Sequence, residues 1–224
     1  PRAVCSKSKL IIYHSEQMYN DQYNTEKLNL DYLNRYNKHV AAHFVWGEEF
    51  GKKLIDLANV QEEDVFIVGN YKFDFISQYE NSLKLQGKKT VLLASDFKLA
   101  DYNDKEFLSF QKMYKVNLPE NLHGTYREGK ITALEWIKRF AIKYSHIDFI
   151  LRPHPGEDRT LYEQLAGEHL NIQLSLPNIS YADDLSKADL VLSFTSTSVL
   201  EVIAANKFMI SMKVAHLDTS FLSQ

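Results

Sequence analysis

Short apolar runs alternate with longer segments in which apolar residues recur every three to four positions along most of the chain. Short apolar runs are typical of buried strands, and the longer periodic segments are typical of helices. Because strands of this kind with helices between them pair in parallel, the pattern predicts an α/β fold whose sheet is covered on both faces. Strands are predicted at 10–13, 43–46, 65–68, 90–94, 148–151, 172–174, 190–193 and 208–212. Helices are predicted at 48–58, 104–114, 131–144, 159–167, 181–188 and 196–205.

A polar and basic stretch at residues 81–89 interrupts this alternation, and we expect a linker there. It would separate part of one α/β domain, residues 1–80, from a second, Rossmann-like α/β domain at residues 90–224. The chain begins at Pro1 without a methionine and ends at Gln224 just after a predicted strand and loop. These ends are typical of a fragment of a longer protein.

The charge of the chain is mixed, with 26 lysines and arginines against 29 aspartates and glutamates, and the net charge is -3. Electrostatic binding of nucleic acid needs a concentrated basic face, so this balance argues against a nucleic-acid partner. The single cysteine, Cys5, excludes an intramolecular disulfide and favours a reducing compartment. No histidine groups with that cysteine, so we expect no metal site. No apolar stretch approaches the roughly 20 residues that span a bilayer.

Candidate functional residues are sought after the strands, because parallel sheets bind ligands beyond their carboxyl ends. The strand at 148–151 runs into Arg152 and His154, each followed by a proline that restricts the backbone. Side chains two positions apart on an extended chain point to the same side. A guanidinium and an imidazole held there are suited to binding a phosphate. The alternative is that Arg152 pairs with Glu157 or Asp158 while His154 only caps a turn.

A hydroxyl-rich turn follows the strand at 190–193 and leads into an apolar helix whose one charge is Glu201. Hydroxyls and free N–H groups at the start of a helix bind anions, and a carboxylate one turn further on could accept both hydroxyls of a ribose. The alternative is an ordinary N-cap with Glu201 paired to a lysine. The candidate donor-binding residues of this segment are Thr195, Ser196, Thr197, Ser198 and Glu201.

Two further strand ends carry candidate residues. Gly69 and Asn70 follow the strand at 65–68, where the glycine allows a tight turn or close approach of a ligand. His14 and Glu16 follow the first strand and form a histidine–carboxylate pair that could act as a general base. The alternative for each is an ordinary strand-to-helix turn.

Motifs of several common enzyme classes are absent from the sequence. There is no GxSxG, no P-loop lysine motif and no GxGxxG, which argues against α/β-hydrolases, P-loop NTPases and classical dehydrogenases.

Three segments together resemble the GT-B superfamily: Gly-Asn-Tyr-Lys-Phe-Asp at 69–74, Arg-Pro-His-Pro at 152–155, and the hydroxyl-rich stretch at 189–201. The nearest likeness is to surface-polysaccharide biosynthesis glycosyltransferases and CDP-glycerol glycerophosphotransferases. The His-Pro and Ser/Thr motifs are similar to those of bacterial sialyltransferases and Kdo transferases. The GNPRxD stretch of the family departs here, with Tyr71 in place of proline and Lys72 in place of arginine.

The resemblance implies two facing Rossmann-like domains, with the acceptor on the side of residues 1–80 and the nucleotide-activated donor on residues 90–224. It implies that His154 and the loop at 196–198 contact the donor phosphate and that Glu201 contacts the ribose. It also implies catalysis without a metal or cofactor, often with CMP- or CDP-activated donors. His154 and Arg152 would then stabilise the departing phosphate, and a base such as His14 with Glu16 would activate the acceptor.

The function expected from this resemblance is a bacterial glycosyltransferase of surface-polysaccharide or capsule biosynthesis. It would move a sugar from a CMP- or other nucleotide-sugar to a glycan or lipid-linked glycan acceptor. The alternatives are a CDP-glycerol glycerophosphotransferase, a GT-B-fold nucleotide-sugar epimerase and a non-catalytic nucleotide-binding module. The expected location is the cytoplasm, with peripheral association at the inner face of the cell membrane as a second option.

Overall fold

The computed structural model of the chain describes residues 10–14, 25–77, 87–114, 118–194 and 198–212. They fall into two units, Pro1–Tyr71 and Lys72–Gln224. The expected linker lies mostly outside the described residues, so the domain boundary at residue 80 stays a prediction. Lys89, the last residue of that expected linker, instead opens a strand because it pairs with Ile147.

The first unit has a three-stranded parallel sheet in the order β1–β2–β3. Its core is built from apolar residues of the helices and of β2: Leu30, Val45, Phe50, Leu54, Ala58 and Val60. Its elements are β1 (Leu10–Tyr13), α1 (Thr25–Tyr36), β2 (Val40–Val45), α2 (Glu48–Ala58) and β3 (Val65–Ile67), with 3₁₀ turns at Asn37–His39 and Glu62–Asp64.

The second unit has a five-stranded sheet in the order β6–β5–β4–β7–β8, and every neighbouring pair is parallel. The α/β class and the Rossmann-like parallel sheet expected from the sequence are therefore confirmed. The strands are β4 (Lys89–Ala94), β5 (Ile147–Arg152), β6 (Ile172–Leu174), β7 (Leu190–Ser193) and β8 (Phe208–Ser211). The helices are α3 (Tyr71–Ser77), which begins on the last residue of the first unit, α4 (Asp104–Tyr114), α5 (Leu122–Lys143), α6 (Thr160–Glu168), α7 (Tyr181–Lys187) and α8 (Ser198–Ala204), with a 3₁₀ turn at Lys98–Asp101.

A core lies on each face of this second sheet, because successive strand residues point to opposite faces. The core on one face includes residues of α5 and α6, and its strand members are Leu93, Phe149, Leu151, Ile172 and Leu192. The core on the other face includes residues of α3, α7 and α8, and its strand members are Leu92, Ala94, Ile150 and Val191. Burial on both faces explains why these strands are continuous apolar runs in the sequence.

Helix α5 differs most from the sequence prediction, since it begins at Leu122 rather than at residue 131. The added turns contain glycines and charged residues and carry little apolar periodicity. Tertiary contacts hold them: Arg127 donates to the carbonyls of Ala100 and Tyr102, and the buried Lys130 binds Asp101. Helix α3 is a second difference, since no helix is predicted at its residues.

The buried leucine at the centre of β5 provides a test of this packing. Leu151 is fully buried, so Leu151→Ala should lower the free energy of unfolding by about 2–5 kcal/mol through lost transfer energy and a residual cavity. Leu170→Ala is the matched control because that leucine is fully exposed, and it should change stability by less than about 0.5 kcal/mol. Urea unfolding measures both, and equal effects of the two changes would contradict the fold.

Candidate functional site

The carboxyl ends of β4, β5 and β7 lie side by side in the second unit. The register pairs Ala94 with Arg152 and with Ser193, so the residues that follow these three strands emerge next to one another. The N–H of Ser95 donates to the carbonyl of Arg152 at 3.1 Å, which continues the pairing one residue past the strand. We call the residues that follow β4, β5, β6 and β7 the strand-end site.

The ring of His154 is oriented by its own turn. The N–H of Gly156 donates to its Nδ1 at 3.1 Å, and the N–H of Glu157 donates to its carbonyl at 2.9 Å. A neutral imidazole whose Nδ1 accepts a hydrogen bond carries its proton on Nε2. His154 thus caps the turn, as the alternative interpretation held, and presents Nε2–H as a donor suited to an anion.

Arg152 has a different partner from those considered in the sequence. Its Nη1 lies 2.6 Å from Asp184 Oδ2 and donates to Ser175 Oγ at 2.9 Å and to the carbonyls of Ile179 and Ser180 at 3.1 and 3.3 Å. Asp184, rather than Glu157 or Asp158, is therefore its ion-pair partner. These bonds fix the segment between β6 and α7. The role of Arg152 toward a phosphate stays a prediction.

Glu201 lies in a partly buried cluster on α8. Its Oε1 is 3.5 Å from Lys72 Nζ, so the alternative of a lysine ion pair is confirmed. Burial raises the pKa of the Glu201 carboxyl, and the charges of Lys72 and Arg152 act against that rise. The neighbouring Tyr181 also has a raised pKa, mainly from burial.

Ser198 is the first residue of α8 and lies one turn before Glu201. The other hydroxyl residues, Thr195, Ser196 and Thr197, lie outside the described residues. Their proposed contact with a donor stays a prediction.

Glu157 is the residue that the sequence reasoning missed. The sequence indicates it only as a possible partner of Arg152, yet its buried carboxylate accepts hydrogen bonds from Ser95 Oγ, from the N–H of Phe97 and from the N–H of His154. The signal available in the sequence was a carboxylate inside a Pro-rich turn that follows a buried strand, where an unpaired charge is costly.

In the first unit, His14 pairs with another histidine. Its Nε2 is 3.0 Å from His43 Nδ1, and the two rings stack with centroids 5.3 Å apart. Burial, with a smaller contribution from His43, lowers the pKa of His14 to about 4, so the ring is neutral at physiological pH. Burial also lowers the pKa of His43, against the charge of Asp64. Glu16 lies outside the described residues, and its pairing with His14 stays a prediction.

Gly69 and Asn70 also belong to the first unit. Gly69 has φ +74°, and a Cβ there would meet nothing within 4 Å, so its backbone conformation is what favours glycine. Its carbonyl accepts from the Tyr13 hydroxyl at 3.3 Å, and the hydroxyl oxygen of Tyr13 accepts in turn from the N–H of Tyr71 at 3.4 Å. Asn70 is buried. Their proposed contact with a donor is not tested by these interactions.

Among the described ranges, no three histidine, cysteine, aspartate or glutamate side chains are arranged to hold a metal ion. None of the helices that the structure describes is both long and apolar enough to cross a bilayer.

No family model and no curated protein sequence matches the chain. Among solved structures, the UDP-N-acetylglucosamine 2-epimerase of Rickettsia bellii matches with a TM-score of 0.50 and 16% identity, over 93% of this chain and 51% of that one. A Listeria monocytogenes protein described as a UDP-N-acetylglucosamine 2-epimerase matches with a TM-score of 0.50 and 14% identity, over 84% and 46%. The wall teichoic acid polymerase TagF has a TM-score of 0.45 and 11% identity, over 81% and 41%.

The chain thus spans about half the length of the structures that it resembles. Its parallel Rossmann-like sheet corresponds to one domain of these GT-B-fold proteins. At such identities the likeness establishes the fold alone.

The pKa of His14 leads to a prediction about acid stability. The folded protein keeps this imidazole neutral down to about pH 4, whereas the unfolded chain protonates it near pH 6.5. Between these values the unfolded state binds more protons, so the free energy of unfolding should fall as pH is lowered from 6.5 to 4. His14 accounts for up to about 3 kcal/mol of that fall, since one pKa unit corresponds to about 1.4 kcal/mol.

NMR titration of the His14 ring protons measures this pKa directly, and urea unfolding across the same pH range measures the stability. His14→Phe should flatten the pH dependence because it fills the buried position without titrating. His146→Phe is the control, since that histidine is exposed and belongs to the second unit. A His14 midpoint near the usual value of 6.5 would contradict the prediction.

Proposed function

We propose that the second unit binds the nucleotide of an activated sugar at the strand-end site, and that the chain is part of a metal-independent glycosyltransferase. The transferred sugar would pass to a surface polysaccharide or another glycan, including a lipid-linked one. The observation that carries the proposal is that one edge of the sheet presents two groups: an imidazole held as an anion donor, His154, follows β5, and a partly buried carboxylate, Glu201, lies in the helix that follows β7. A reducing compartment such as the cytoplasm agrees with the single cysteine.

His154 is the proposed contact to the donor phosphate. Its turn holds Nδ1 on the N–H of Gly156, so the ring can meet a phosphate oxygen through Nε2 without reorganising. The leaving group of a glycosyl transfer is a phosphate that gains negative charge, and a preoriented donor stabilises that charge more in the transition state than in the substrate. The hydroxyls of 195–198 and the charge of Arg152 are the proposed further contacts.

Glu201 is the proposed contact to the ribose. Its carboxylate is largely buried, and its ion pair with Lys72, at 3.5 Å, is longer than a charge-assisted hydrogen bond. Two ribose hydroxyls would donate shorter hydrogen bonds to this carboxylate.

The acceptor base is proposed to lie in the first unit, where Gly69 and Asn70 are additional proposed donor contacts. His14 is neutral at physiological pH because of its lowered pKa, which is the form that can accept a proton. Its bond to His43 orients the ring, as the partner of a general base does. Glu16 is the proposed carboxylate that assists it.

A nucleotide-sugar epimerase is the second candidate, because the two structures with a TM-score of 0.50 are described as UDP-N-acetylglucosamine 2-epimerases. Incubation of the full-length protein with UDP-N-acetylglucosamine, without an acceptor, distinguishes the two. Epimerisation of the sugar would favour the second candidate, and transfer only when an acceptor is added would favour the first. Glycerol-phosphate transfer from CDP-glycerol and nucleotide binding without turnover are the remaining outcomes of the same assay.

His154→Ala should weaken nucleotide binding by roughly 10- to 100-fold, the range of a hydrogen bond to a charged group. If the ring also protonates the leaving group, turnover should fall by on the order of 100-fold or more. Isothermal titration with CMP, CDP, UMP and UDP measures the affinity. His146→Ala is the matched control, because His146 is exposed and lies just before the other end of β5. Unchanged affinity in a normally folded His154→Ala protein would refute the phosphate contact.

Glu201→Gln should lower the affinity for ribonucleotides by roughly 10-fold or more, because the amide replaces a charged acceptor. Wild type should prefer ribonucleotides to 2′-deoxyribonucleotides, and the variant should lose most of that preference. Isothermal titration of both nucleotide forms gives the comparison.

Lys72→Gln is the control for this experiment, since it breaks the same ion pair but keeps the carboxylate. It should retain the preference for ribose. If Lys72→Gln and Glu201→Gln lose the preference equally, the effect comes from the ion pair and the ribose assignment fails.

A further inference from the structure

Glu157 connects the loops after two neighbouring strands. Its Oε1 accepts from Ser95 Oγ at 2.8 Å, from the N–H of Phe97 at 3.0 Å and from the N–H of His154 at 3.0 Å. Its Oε2 accepts from the Tyr162 hydroxyl. The side chain is 0% exposed, so these donors replace water entirely around a buried carboxylate.

The hydrogen bonds of Glu157 pair backbone N–H groups that the sheet leaves without a partner. Beyond the ends of β4 and β5 the strand ladder no longer pairs the backbone, yet Phe97 is buried and the N–H of His154 is partly buried. A buried N–H group without a partner costs free energy comparable to a lost hydrogen bond. One oxygen of Glu157 satisfies both groups and ties the two loops to a common point.

The charge of Glu157 is a smaller part of its role. The nearest cation, Lys130 Nζ, is 3.9 Å from Oε2 but lies at 2.8 and 3.1 Å from the two oxygens of Asp101. The ammonium is thus bound mainly to Asp101. The bonds to Glu157 come from neutral hydroxyl and N–H donors, which require an oxygen at the correct position rather than a negative charge.

We propose that Glu157 is the positioning residue of the strand-end site: it holds the peptide of His154 so that the ring keeps Nδ1 on Gly156 and Nε2 directed to the ligand. Ser95 supports it through its bond to Oε1. The contacts of Glu157 account for the position of His154, and the consequence for a ligand rests on the proposed function.

Four variants test whether the position of the Glu157 oxygens or the charge of the carboxylate holds His154 in place. In Glu157→Gln the amide oxygen can keep the three donors of Oε1, and the amide NH₂ can donate to the Tyr162 hydroxyl, which can donate to Ser95 Oγ at 3.0 Å. Glu157→Asp keeps the charge, but its side chain is one methylene shorter, so the carboxylate oxygens no longer reach the same donors. Glu157→Ala removes the carboxylate altogether. Tyr162→Phe removes the bond to Oε2 and the contact with Ser95 Oγ, and it keeps the three donors of Oε1.

The first measurement uses the nucleotide-free protein and NMR: hydrogen exchange of the His154 amide, and the ring ¹⁵N shifts that report which nitrogen carries the proton. Exchange of the His154 amide should quicken about 10-fold or more in Glu157→Ala and Glu157→Asp, as expected when a native hydrogen bond is lost. In the same two variants the Nε2–H tautomer of His154 should no longer predominate over the Nδ1–H tautomer. Glu157→Gln and Tyr162→Phe should stay within about 3-fold of wild type on the same scale.

Asn171→Ala controls for a general loss of stability. The buried amide of Asn171 donates to the carbonyls of Ala141 and Ile147 at the opposite end of β5. This variant should lower the melting temperature without changing the tautomer of His154. If Glu157→Asp behaves as wild type while Glu157→Gln loosens His154, the charge matters and the proposal is overturned. The same holds if Asn171→Ala changes His154 as Glu157→Ala does.

The second measurement is nucleotide affinity by isothermal titration. Glu157→Ala and Glu157→Asp should weaken it about 10-fold, and Glu157→Gln should stay within about 3-fold. If His154 loosens but affinity is unchanged, the part of the proposal that concerns the ligand is overturned. If wild type binds no nucleotide while the NMR results are as expected, the proposed function fails and the positioning of His154 stands.

Discussion

The parallel pairing of β4 with β5 and β7 is the constraint on which the rest of the second unit depends. Parallel strands cannot be joined by tight hairpins, so each needs a crossover that covers one face of the sheet. The helices α5 to α8 lie in these crossovers, and their apolar residues pack on the sheet so that each face has a hydrophobic core. The same alignment brings all carboxyl ends to one edge, where Ala94, Arg152 and Ser193 lie side by side.

Beyond the strand ends, that edge contains polar hydrogen-bond donors that the strand ladder does not pair. Two buried carboxylates accept hydrogen bonds from these donors. Glu157 binds the loops after β4 and β5, and Asp184 binds Arg152, whose Nη1 fixes the segment before α7. Each carboxylate is buried and multiply bonded, which is how a charge becomes tolerable inside a protein. Glu201 differs from these two carboxylates, since its ion pair with Lys72 is longer, at 3.5 Å.

The sequence predicted what depends on local pattern. The bounds of β1, β6, β7, α2 and α4 agree with the prediction because apolar runs, periodicity and turn residues specify them over a few positions. The prolines likewise indicated a restricted turn at His154. The partners of its polar residues were not predictable in this way: Glu157 meets Ser95 across 62 positions, and His14 meets His43 across 29. Such pairs depend on how the strands are ordered in space, which the strand pattern leaves open.

Nucleotide binding at the strand-end site of the second unit can be tested by chemical-shift mapping of the wild-type chain. Titration with CMP, CDP, UMP, UDP and GDP should give saturable shifts at the amides of Ser95, His154 and Ser198 for at least one nucleotide. The amides of Lys88 and Asp189, at the opposite edge of the sheet, should not move. Saturable shifts confined to that opposite edge, or no saturable shift with any of the five nucleotides, would contradict the account.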